Sequence, residues 1–347
     1  MNWNEVETLC TLCGTSGREH AVRDYILQQI SAAGIPQTAV HTDGLGNVTV
    51  HKQGRQRANR KVLFTAHMDE VALMVTSVCP DGSLTFDEVG GVNPAAVIGR
   101  QVLVGRNLIP GVIGAKPVHL ISKDDRKKPA EMSKLFCDIG ADSEEEAKAL
   151  GIRPGDVIYF DTKPFTMGED TLAAKAIDDR FGCAVMLTLL REELEYDTDF
   201  AFLVQEEVGL RGAAAAARAM QPDIAVILET TTAADLPDSQ GADRVCELGG
   251  GAVISFMDGR TIYDKALYDL ASSAADSLHI KWQTKTKIAG GNDAGAIQQS
   301  GARVLAVSLP CRYLHAPVTA ARKSDGEACE ALARALVSAL QQPEADA

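Results

Sequence analysis

The 347-residue sequence lacks any apolar run of the roughly 20 residues that a membrane-spanning helix needs. Its N-terminus, MNWNEVETLC, has neither a basic region nor an apolar core, so we expect no signal peptide. Basic residues are outnumbered, with 34 Lys and Arg against 47 Asp and Glu, which gives a net charge of -13. Because nucleic acids and anionic membranes are bound by basic surfaces, we expect neither as a partner.

Cysteine is too sparse for a disulfide framework, since eight residues are scattered along the whole chain. A reducing cytoplasm is therefore the expected location. Cys10 and Cys13 form a CxxC in a helical pattern, but no second pair or histidine cluster follows. We interpret that pair as core packing rather than a metal site. No internal repeat stands out beyond a short alanine run at 213–217.

The order of β-like and helical segments indicates the fold class. From about Thr171, helical segments alternate with strands such as TDFAFLVQ and DIAVILE, which predicts an α/β fold with a mostly parallel mixed sheet flanked by helices. Between Glu70 and Asp161, short β-like runs alternate with Gly and Pro turns, which predicts a small β-barrel or β-sandwich. We predict an α/β domain from residues 1–69 and 164–347, interrupted by a β-rich insertion at 70–163. Near the N-terminus, Ser16 and Glu19 fit a capping box that opens a helix.

Acids and histidines recur where apolar strands end. The stretch FAFLVQEEVGLRG is the clearest case, because its strand runs directly into Glu206 and Glu207. The other such positions are His67 and Asp69 after KVLFTA, Asp178 and Asp179 in LAAKAIDDR, Glu229 after DIAVIL, and His315 after RVLAVSLPCRYL. In open α/β sheets, functional groups collect outside the carboxyl ends of strands. We therefore expect these side chains to meet.

Divalent cations would explain why so many acids converge. An ionised carboxylate in an apolar setting is costly unless it is paired or binds a metal, and adjacent acids raise each other's pKa. Zinc binds His nitrogen and carboxylate oxygen, but three carboxylates and two histidines are too many for one tetrahedral ion. They suit two ions sharing a carboxylate, as in two-metal hydrolases, with one further acid left to accept a proton from water.

The ordered motifs AHMDE, AIDDR, QEEVGLRG, LETTTAAD, GGNDAGA and PCRYLHAP resemble those of metallopeptidase family 42. These are the TET-type, glutamyl-aminopeptidase-like enzymes with co-catalytic metals. The motifs extend from about Gly14 to Pro317, so the resemblance covers nearly the whole chain. It implies a zinc-peptidase-like α/β domain with an inserted dimerisation domain, and dimers that assemble into a hollow dodecamer open to short peptides.

The resemblance also implies a role for each position. It assigns His67, Asp178, Glu207, Glu229 and His315 as metal ligands, with Asp178 bridging the two ions. Glu206 resembles the general base, and Asp69 resembles the acid that orients His67. A cis peptide bond before Asp179 is expected. Two divalent ions per subunit are implied, with zinc, cobalt or manganese as the candidates.

Some positions depart from the family pattern or allow another interpretation. Glu229 stands where many members carry Asp, while Asn292 and Ala72 replace the commoner Thr or Ser and Gly. Asp178 and Asp179 could instead cap the helix that starts near Phe181. His67 could be an ordinary strand-end histidine. His119, in the β insertion, is placed by the resemblance near a neighbouring subunit's site, but a structural role fits it equally. The remaining histidines are interpreted as surface residues: His20, His41, His51 and His279.

The predicted function is release of N-terminal residues from short peptides by a metal-activated water, in a cytoplasmic homo-oligomer. A related two-metal carboxypeptidase, dipeptidase or deacylase is the main alternative. A metal-independent glycosidase would use Glu206 and Glu229 as its carboxylate pair, but the histidines in the set count against it. A non-catalytic metal-binding scaffold has no use for Glu206 beside Glu207.

Overall fold

The computed structural model describes residues 1–122, 124 and 127–341. Within them the α-helices are α1 (Trp3–Thr11), α2 (His20–Ala32), α3 (Pro94–Val97), α4 (Glu144–Ala149), α5 (Ile177–Arg191), α6 (Arg211–Met220), α7 (Lys265–Ser277), α8 (Ala294–Ile297) and α9 (Lys323–Ala339). The first nine strands are β1 (Val40–Thr42), β2 (Val48–Lys52), β3 (Val62–His67), β4 (Ala72–Val78), β5 (Leu84–Val89), β6 (Gln101–Val104), β7 (Ile109–Ala115), β8 (Leu135–Asp138) and β9 (Val157–Phe160). The others are β10 (Phe165–Met167), β11 (Thr171–Ala174), β12 (Thr198–Leu203), β13 (Ile224–Thr232), β14 (Ala252–Ile254), β15 (Trp282–Thr284), β16 (Arg303–Arg312) and β17 (Thr319–Arg322).

An 11-stranded mixed sheet forms the centre of the molecule, in the order β1-β2-β12-β3-β13-β16-β17-β11-β10. The remaining two strands extend it beside β16, where β14 pairs with β16 and β15 with β14. Four central neighbours, β12, β3, β13 and β16, run parallel. The flanking pairs are mainly antiparallel. The predicted α/β class with a mixed sheet flanked by helices is confirmed, and within the described residues parallel pairing between strands is limited to these four central strands and to β14 with β15.

The central strands are largely apolar because helices cover both faces of the sheet. Every residue of β3 and of β12 is buried. Phe64 and Phe200 pair in register and stack at 5.8 Å on the face covered by α1, α2, α5 and α9. Leu63 and Ala201 point to the opposite face, under α6 and α8. This alternation explains why these strands read as continuous apolar runs in the sequence.

Six strands, in the order β4-β5-β8-β7-β6-β9, close into a barrel with its own apolar core. All six lie between Ala72 and Phe160, inside the segment expected to be an insertion. Of the two predicted architectures, the structure therefore has a barrel rather than a sandwich. The short strand β8 was absent from the sequence interpretation, although it closes the barrel between β5 and β7.

The predicted capping box at the start of α2 is wrong. Glu19 occupies the position before the helix and makes no side-chain capping bond. Its carboxylate accepts hydrogen bonds from the backbone N–H of Gly17 and of Gln205. Ser16 instead donates its hydroxyl to Asp69, a tertiary contact that replaces the local one. No helix in the described ranges is long and apolar enough to cross a membrane.

Candidate metal centre

The parallel arrangement of four strands brings the predicted donors to one edge of the sheet. His67 is the last residue of β3, and Glu206 and Glu207 follow β12. Glu229 lies in the second half of β13, and His315 follows β16. Because these four strands are neighbours and parallel, their carboxyl ends meet at the same edge. The strand-end expectation therefore holds at β3, β12 and β16, whereas β13 continues for three residues beyond Glu229.

Asp178 lies at the start of α5, where the backbone is not helical at Asp178 and Asp179. The peptide bond between these two residues is cis, as the resemblance implies. Asp179 caps the helix, since its carboxylate accepts the backbone N–H of Gly182 at 2.9 Å, and it also accepts the N–H of His67 at 3.3 Å. The capping alternative thus applies to Asp179, which leaves Asp178 available to the site.

Asp178 lies between two histidine-carboxylate groups and uses a different oxygen for each. Its Oδ1 is 3.4 Å from Nε2 of His67, which is also 3.6 Å from Oε1 of Glu229. Its Oδ2 is 3.4 Å from Nε2 of His315, which is also 3.3 Å from Oε2 of Glu207. One candidate donor group is therefore His67, Asp178 and Glu229, and the other is His315, Asp178 and Glu207.

These separations fit shared ligation better than direct hydrogen bonding. Hydrogen bonds between nitrogen and oxygen fall at about 2.7–3.2 Å. Two ligands held tetrahedrally at about 2.1 Å from one ion lie about 3.4 Å apart. The four nitrogen-oxygen distances of 3.3 to 3.6 Å match that edge length. The chemistry of the donors, imidazole and carboxylate, is also that of zinc-like ions.

Buried polar atoms without partners support the same interpretation. His67 Nε2, Asp178 Oδ1 and Glu229 Oε2 are buried and make no hydrogen bond within the described part of the chain. Such atoms are costly in a folded protein unless something binds them. His67 has 1% of its side chain exposed, while His315 has 36%. The candidate site is therefore closed at His67 and open towards His315.

Electrostatics shows the cost of assembling these groups without a cation. Burial raises the pKa of Glu207 to about 7 and that of Glu229 to about 8, and the carboxylate of Asp178 adds to both shifts. Burial lowers the pKa of His315, but the nearby carboxylates of Asp178 and Glu207 together outweigh burial and bring the value to about 9. Burial likewise opposes the low pKa of Asp178, which the two histidines hold well below its usual range. Bound cations would take over the role of those protons.

Asp69 is fully buried and fixes the positions of several residues of the candidate site through hydrogen bonds. Its carboxylate accepts the backbone N–H of Glu206 at 3.0 Å, that of Glu207 at 3.2 Å, and the hydroxyl of Ser16 at 2.5 Å. His67 Nδ1 lies 3.1 Å from the Asp69 carbonyl oxygen and 3.5 Å from its carboxylate. A proton on Nδ1 therefore leaves the Nε2 lone pair facing Asp178. The main orienting contact is thus the backbone carbonyl of Asp69, with its carboxylate second.

Glu206 differs from Glu207 because its carboxylate is not part of either donor group. Burial raises its pKa well above the usual value; His67 opposes that rise, and the carboxylates of Glu229, Asp293 and Glu207 add to it. Asp293, which the sequence interpretation missed, is fully buried, and burial raises its pKa to about 7. A partly exposed acid of raised pKa beside a metal centre is suited to accept a proton from water.

Gly90 lets the barrel approach the donors closely, and the neighbouring Gly91 lies beside His315. Gly90 has a φ of +81°, and a Cβ there would lie 3.3 Å from Cβ of Glu207. A Cβ on Gly91 would lie 3.5 Å from Nδ1 of His315. The loop after β5 therefore packs directly against the second donor group. Any side chain at Gly90 would be strained in backbone and would press on Glu207.

Backbone strain is concentrated around the donors. Of the nine described non-glycine residues with positive φ, five flank the site. They are Ala176, Gln205, Leu210, Tyr313 and His315. Each such residue costs about 1–3 kcal/mol, which persists only where surrounding contacts impose it. Strain of this kind is typical of functional sites.

The cysteines, and the histidines that are not predicted ligands, belong to neither donor group. All eight cysteines are free, with Cys10 buried in the core and Cys13 half-buried. His51 binds Asp199 at 2.7 Å, and His119 is exposed in the barrel segment. The other surface histidines are also exposed: His20, His41 and His279.

Two of the positions that depart from the family pattern serve the local structure. Asn292 exchanges hydrogen bonds with the hydroxyl of Tyr263 and accepts the N–H of Ala294. Ala72 is fully buried at the start of β4.

The sequence is similar to that of known aminopeptidases. The sequence profile of the M42 glutamyl aminopeptidase family matches residues 46–332. The chain belongs to the M42 family. A putative aminopeptidase of Acetivibrio thermocellus is 36% identical over 318 residues, or 90% of this chain and 92% of that protein. The lysyl aminopeptidase of Pyrococcus furiosus is 31% identical over 350 residues, or 98% of both chains.

The solved structures agree with the sequence comparison. The Pyrococcus horikoshii TET1 peptidase, which can assemble into a tetrahedron or a large octahedral shell, superposes with a TM-score of 0.84 at 32% identity. The match covers 96% of this chain and 98% of that one. Family membership makes this chain an aminopeptidase and therefore a hydrolase, of a family that uses divalent metal ions. The resemblance recognised in the ordered motifs is confirmed.

Proposed function

We propose that this M42 aminopeptidase holds two divalent metal ions and releases N-terminal residues from short peptides. The observation that carries the proposal is the position of Asp178, whose two carboxylate oxygens each lie 3.4 Å from a different histidine. A carboxylate between two donor groups is the arrangement that two neighbouring ions require.

The residues divide between the two ions. His67 and Glu229 would hold one ion, and His315 and Glu207 the other, with Asp178 bridging them. The longer side chain of Glu229 is accommodated, because its Oε1 lies 3.6 Å from His67 Nε2 while it accepts the N–H of Thr230 at 3.2 Å. Zinc, cobalt and manganese all remain candidates, since affinity order does not fix occupancy in a cell.

Bound divalent ions supply polarisation of the scissile carbonyl and lower the pKa of a bound water towards about 7. The protein supplies the proton transfer and the positioning. Glu206 accepts a proton from the attacking water and returns it to the leaving amine. The backbone carbonyl of Asp69 orients His67. The carboxylate of Asp69 accepts the backbone N–H groups of Glu206 and Glu207 and so fixes the positions of these two residues. Peptide enters from the side of His315, where the site is open.

We further propose that residues 70–163 form a dimerisation domain and that the dimers build a closed homo-oligomer. Support comes from the family and from the assembly of the P. horikoshii TET1 peptidase. Several apolar side chains of the barrel are also exposed, including Ile98, Leu108 and Val112, each above 40%. Analytical ultracentrifugation tests this, and an active stable monomer would contradict it.

Hydrolysis of a panel of aminoacyl-p-nitroanilides, with and without added zinc, cobalt or manganese, tests the activity. We expect turnover that a chelator abolishes and a divalent ion restores. Absence of metal-dependent hydrolysis across the panel would remove the proposal. Peptides with blocked N-termini separate it from the related carboxypeptidase or deacylase, because an aminopeptidase requires the free amine.

A further inference from the structure

A buried cluster of charges lies next to the candidate ligands without belonging to them. It consists of Glu70, Lys175 and Arg180, which are 3%, 3% and 0% exposed. Buried Lys and Arg are rare, and a charge without a partner in the interior is strongly unfavourable. We call these three residues the ion cluster.

The ion cluster is fully hydrogen-bonded. Lys175 Nζ donates to both carboxylate oxygens of Glu70, at 2.8 and 2.7 Å, and to the carbonyl of Leu12 at 2.8 Å. Arg180 lies 3.4 Å from the same carboxylate and donates to the Met68 carbonyl at 2.8 Å. It also donates to carbonyls of the N-terminal segment, at Leu9, Leu12 and Gly14. The N–H of Gly14 in turn donates to Glu70.

Each member of the ion cluster lies within three sequence positions of a proposed site residue. Glu70 follows Asp69 directly, so it is anchored to the segment that carries His67. Lys175 and Arg180 stand on either side of the cis pair at Asp178 and Asp179. The ion cluster therefore ties the segment after β3 to the segment before α5. It also ties both to the N-terminal segment that supplies Ser16.

The tied segments carry two ligands of the first donor group, His67 and Asp178, whose Nε2 and Oδ1 atoms lie 3.4 Å apart. Through its other carboxylate oxygen, Asp178 also lies 3.4 Å from His315 of the second donor group. A cavity of about 10 Å³, the size of one water, is lined by Glu70 and Lys175 as well as by Asp178, Glu207 and His315. The ion cluster thus borders the bridging ligand and the second donor group directly.

We propose that Glu70, Lys175 and Arg180 are positioning residues, which hold the His67 and Asp178 segments at metal-binding separation before any metal arrives. The inference depends on the proposed function only for its ligand set. Preorganisation raises affinity because binding no longer has to order the ligands. Residues that support metal ligands typically change metal affinity 10- to 100-fold when replaced.

The test compares Lys175→Met and Lys175→Arg with the wild-type full-length chain after metal removal. Cobalt titration followed by visible absorption reports affinity and coordination, and hydrogen exchange reports order at 67–71 and 175–180. We expect Lys175→Met to weaken cobalt binding about 10- to 100-fold and to speed exchange in both segments. Lys175→Arg keeps the charge and should restore most of the affinity.

A matched control lies at the other end of the same helix. Arg191 binds buried Glu5 through two contacts of 2.6 Å, far along α5 from the donors. Arg191→Met should lower thermal stability and leave the cobalt spectrum and affinity unchanged. Should Lys175→Met fail to fold, the double variant Glu70→Gln, Lys175→Met removes both charges together. We expect it to fold and still to bind cobalt weakly.

Unchanged cobalt affinity in a folded Lys175→Met or double variant would overturn the inference. An equal loss in Arg191→Met would also overturn it, because the effect would then be general destabilisation. None of these readouts uses peptide hydrolysis. Failure of the aminopeptidase assay therefore remains distinct from failure of the positioning claim.

Discussion

Replacing each of the adjacent glutamates separately by glutamine should give two different defects. Glu206→Gln removes a carboxylate that belongs to neither donor group, so both ions should stay bound. Removing one negative charge also relieves repulsion with Glu207, Glu229 and Asp293, and metal affinity should not fall. Loss of a general base costs about 10²- to 10⁴-fold in kcat, or roughly 2.7–5.4 kcal/mol of transition-state stabilisation.

Glu207→Gln should give the other defect, which is loss of bound metal. Its Oε2 lies 3.3 Å from His315 Nε2, so the variant loses a ligand of the second donor group and should retain less metal. The assay is kcat on an aminoacyl-p-nitroanilide together with metal content by mass spectrometry after dialysis. A Glu206→Gln variant that keeps wild-type kcat, or that loses its metal, would refute the separation of roles.

Three further outcomes follow from individual contacts. Ser16→Ala removes the hydroxyl bonded to buried Asp69 and should weaken metal binding about 10-fold in a cobalt titration, with no change in fold. Gly90→Ala, at a φ of +81°, should lower the free energy of unfolding by about 1–3 kcal/mol in denaturant titrations and should also reduce metal content. In metal-free protein, Glu207 and Glu229 have raised pKa values of about 7 and about 8, so the folded state binds their protons more tightly than the unfolded state. Thermal stability should then be higher at pH 6 than at pH 8.5, and added zinc should reverse or abolish that trend.

The ends of the central strands could be predicted from the sequence. Parallel strands that are covered on both faces appear in the sequence as continuous apolar runs. Such a run ends where polar residues begin, which marks His67, Glu206 and Glu229, although β13 stays buried through Thr231. The pairing order of the strands is not encoded locally. The sequence therefore only predicts that these strand ends converge, and the sheet order in the structure shows that they do.

Short elements were missed for a physical reason. Strand β8, LFCD, alternates between buried and exposed positions over only four residues, too few to separate it from a turn. Ser16 matched a capping box in spacing, but a buried carboxylate, Asp69, competes for its hydroxyl more strongly than a helix end does. A tertiary contact thus overrode a local pattern.

The ion cluster was invisible for a similar reason. Lys175 lies inside the quoted segment LAAKAIDDR, yet nothing in the sequence distinguishes a buried lysine from an exposed one. Its partner Glu70 is 105 positions away in the chain. Only the fold shows that the two charges meet beside Asp178.

Crystallographic anomalous scattering, recorded at the absorption edge of the bound metal, is the most direct test of the central claim. We predict two peaks per chain, one between His67 and Glu229 and the other between His315 and Glu207, each in contact with a different oxygen of Asp178. A single peak, or metal bound without Asp178, would contradict the account.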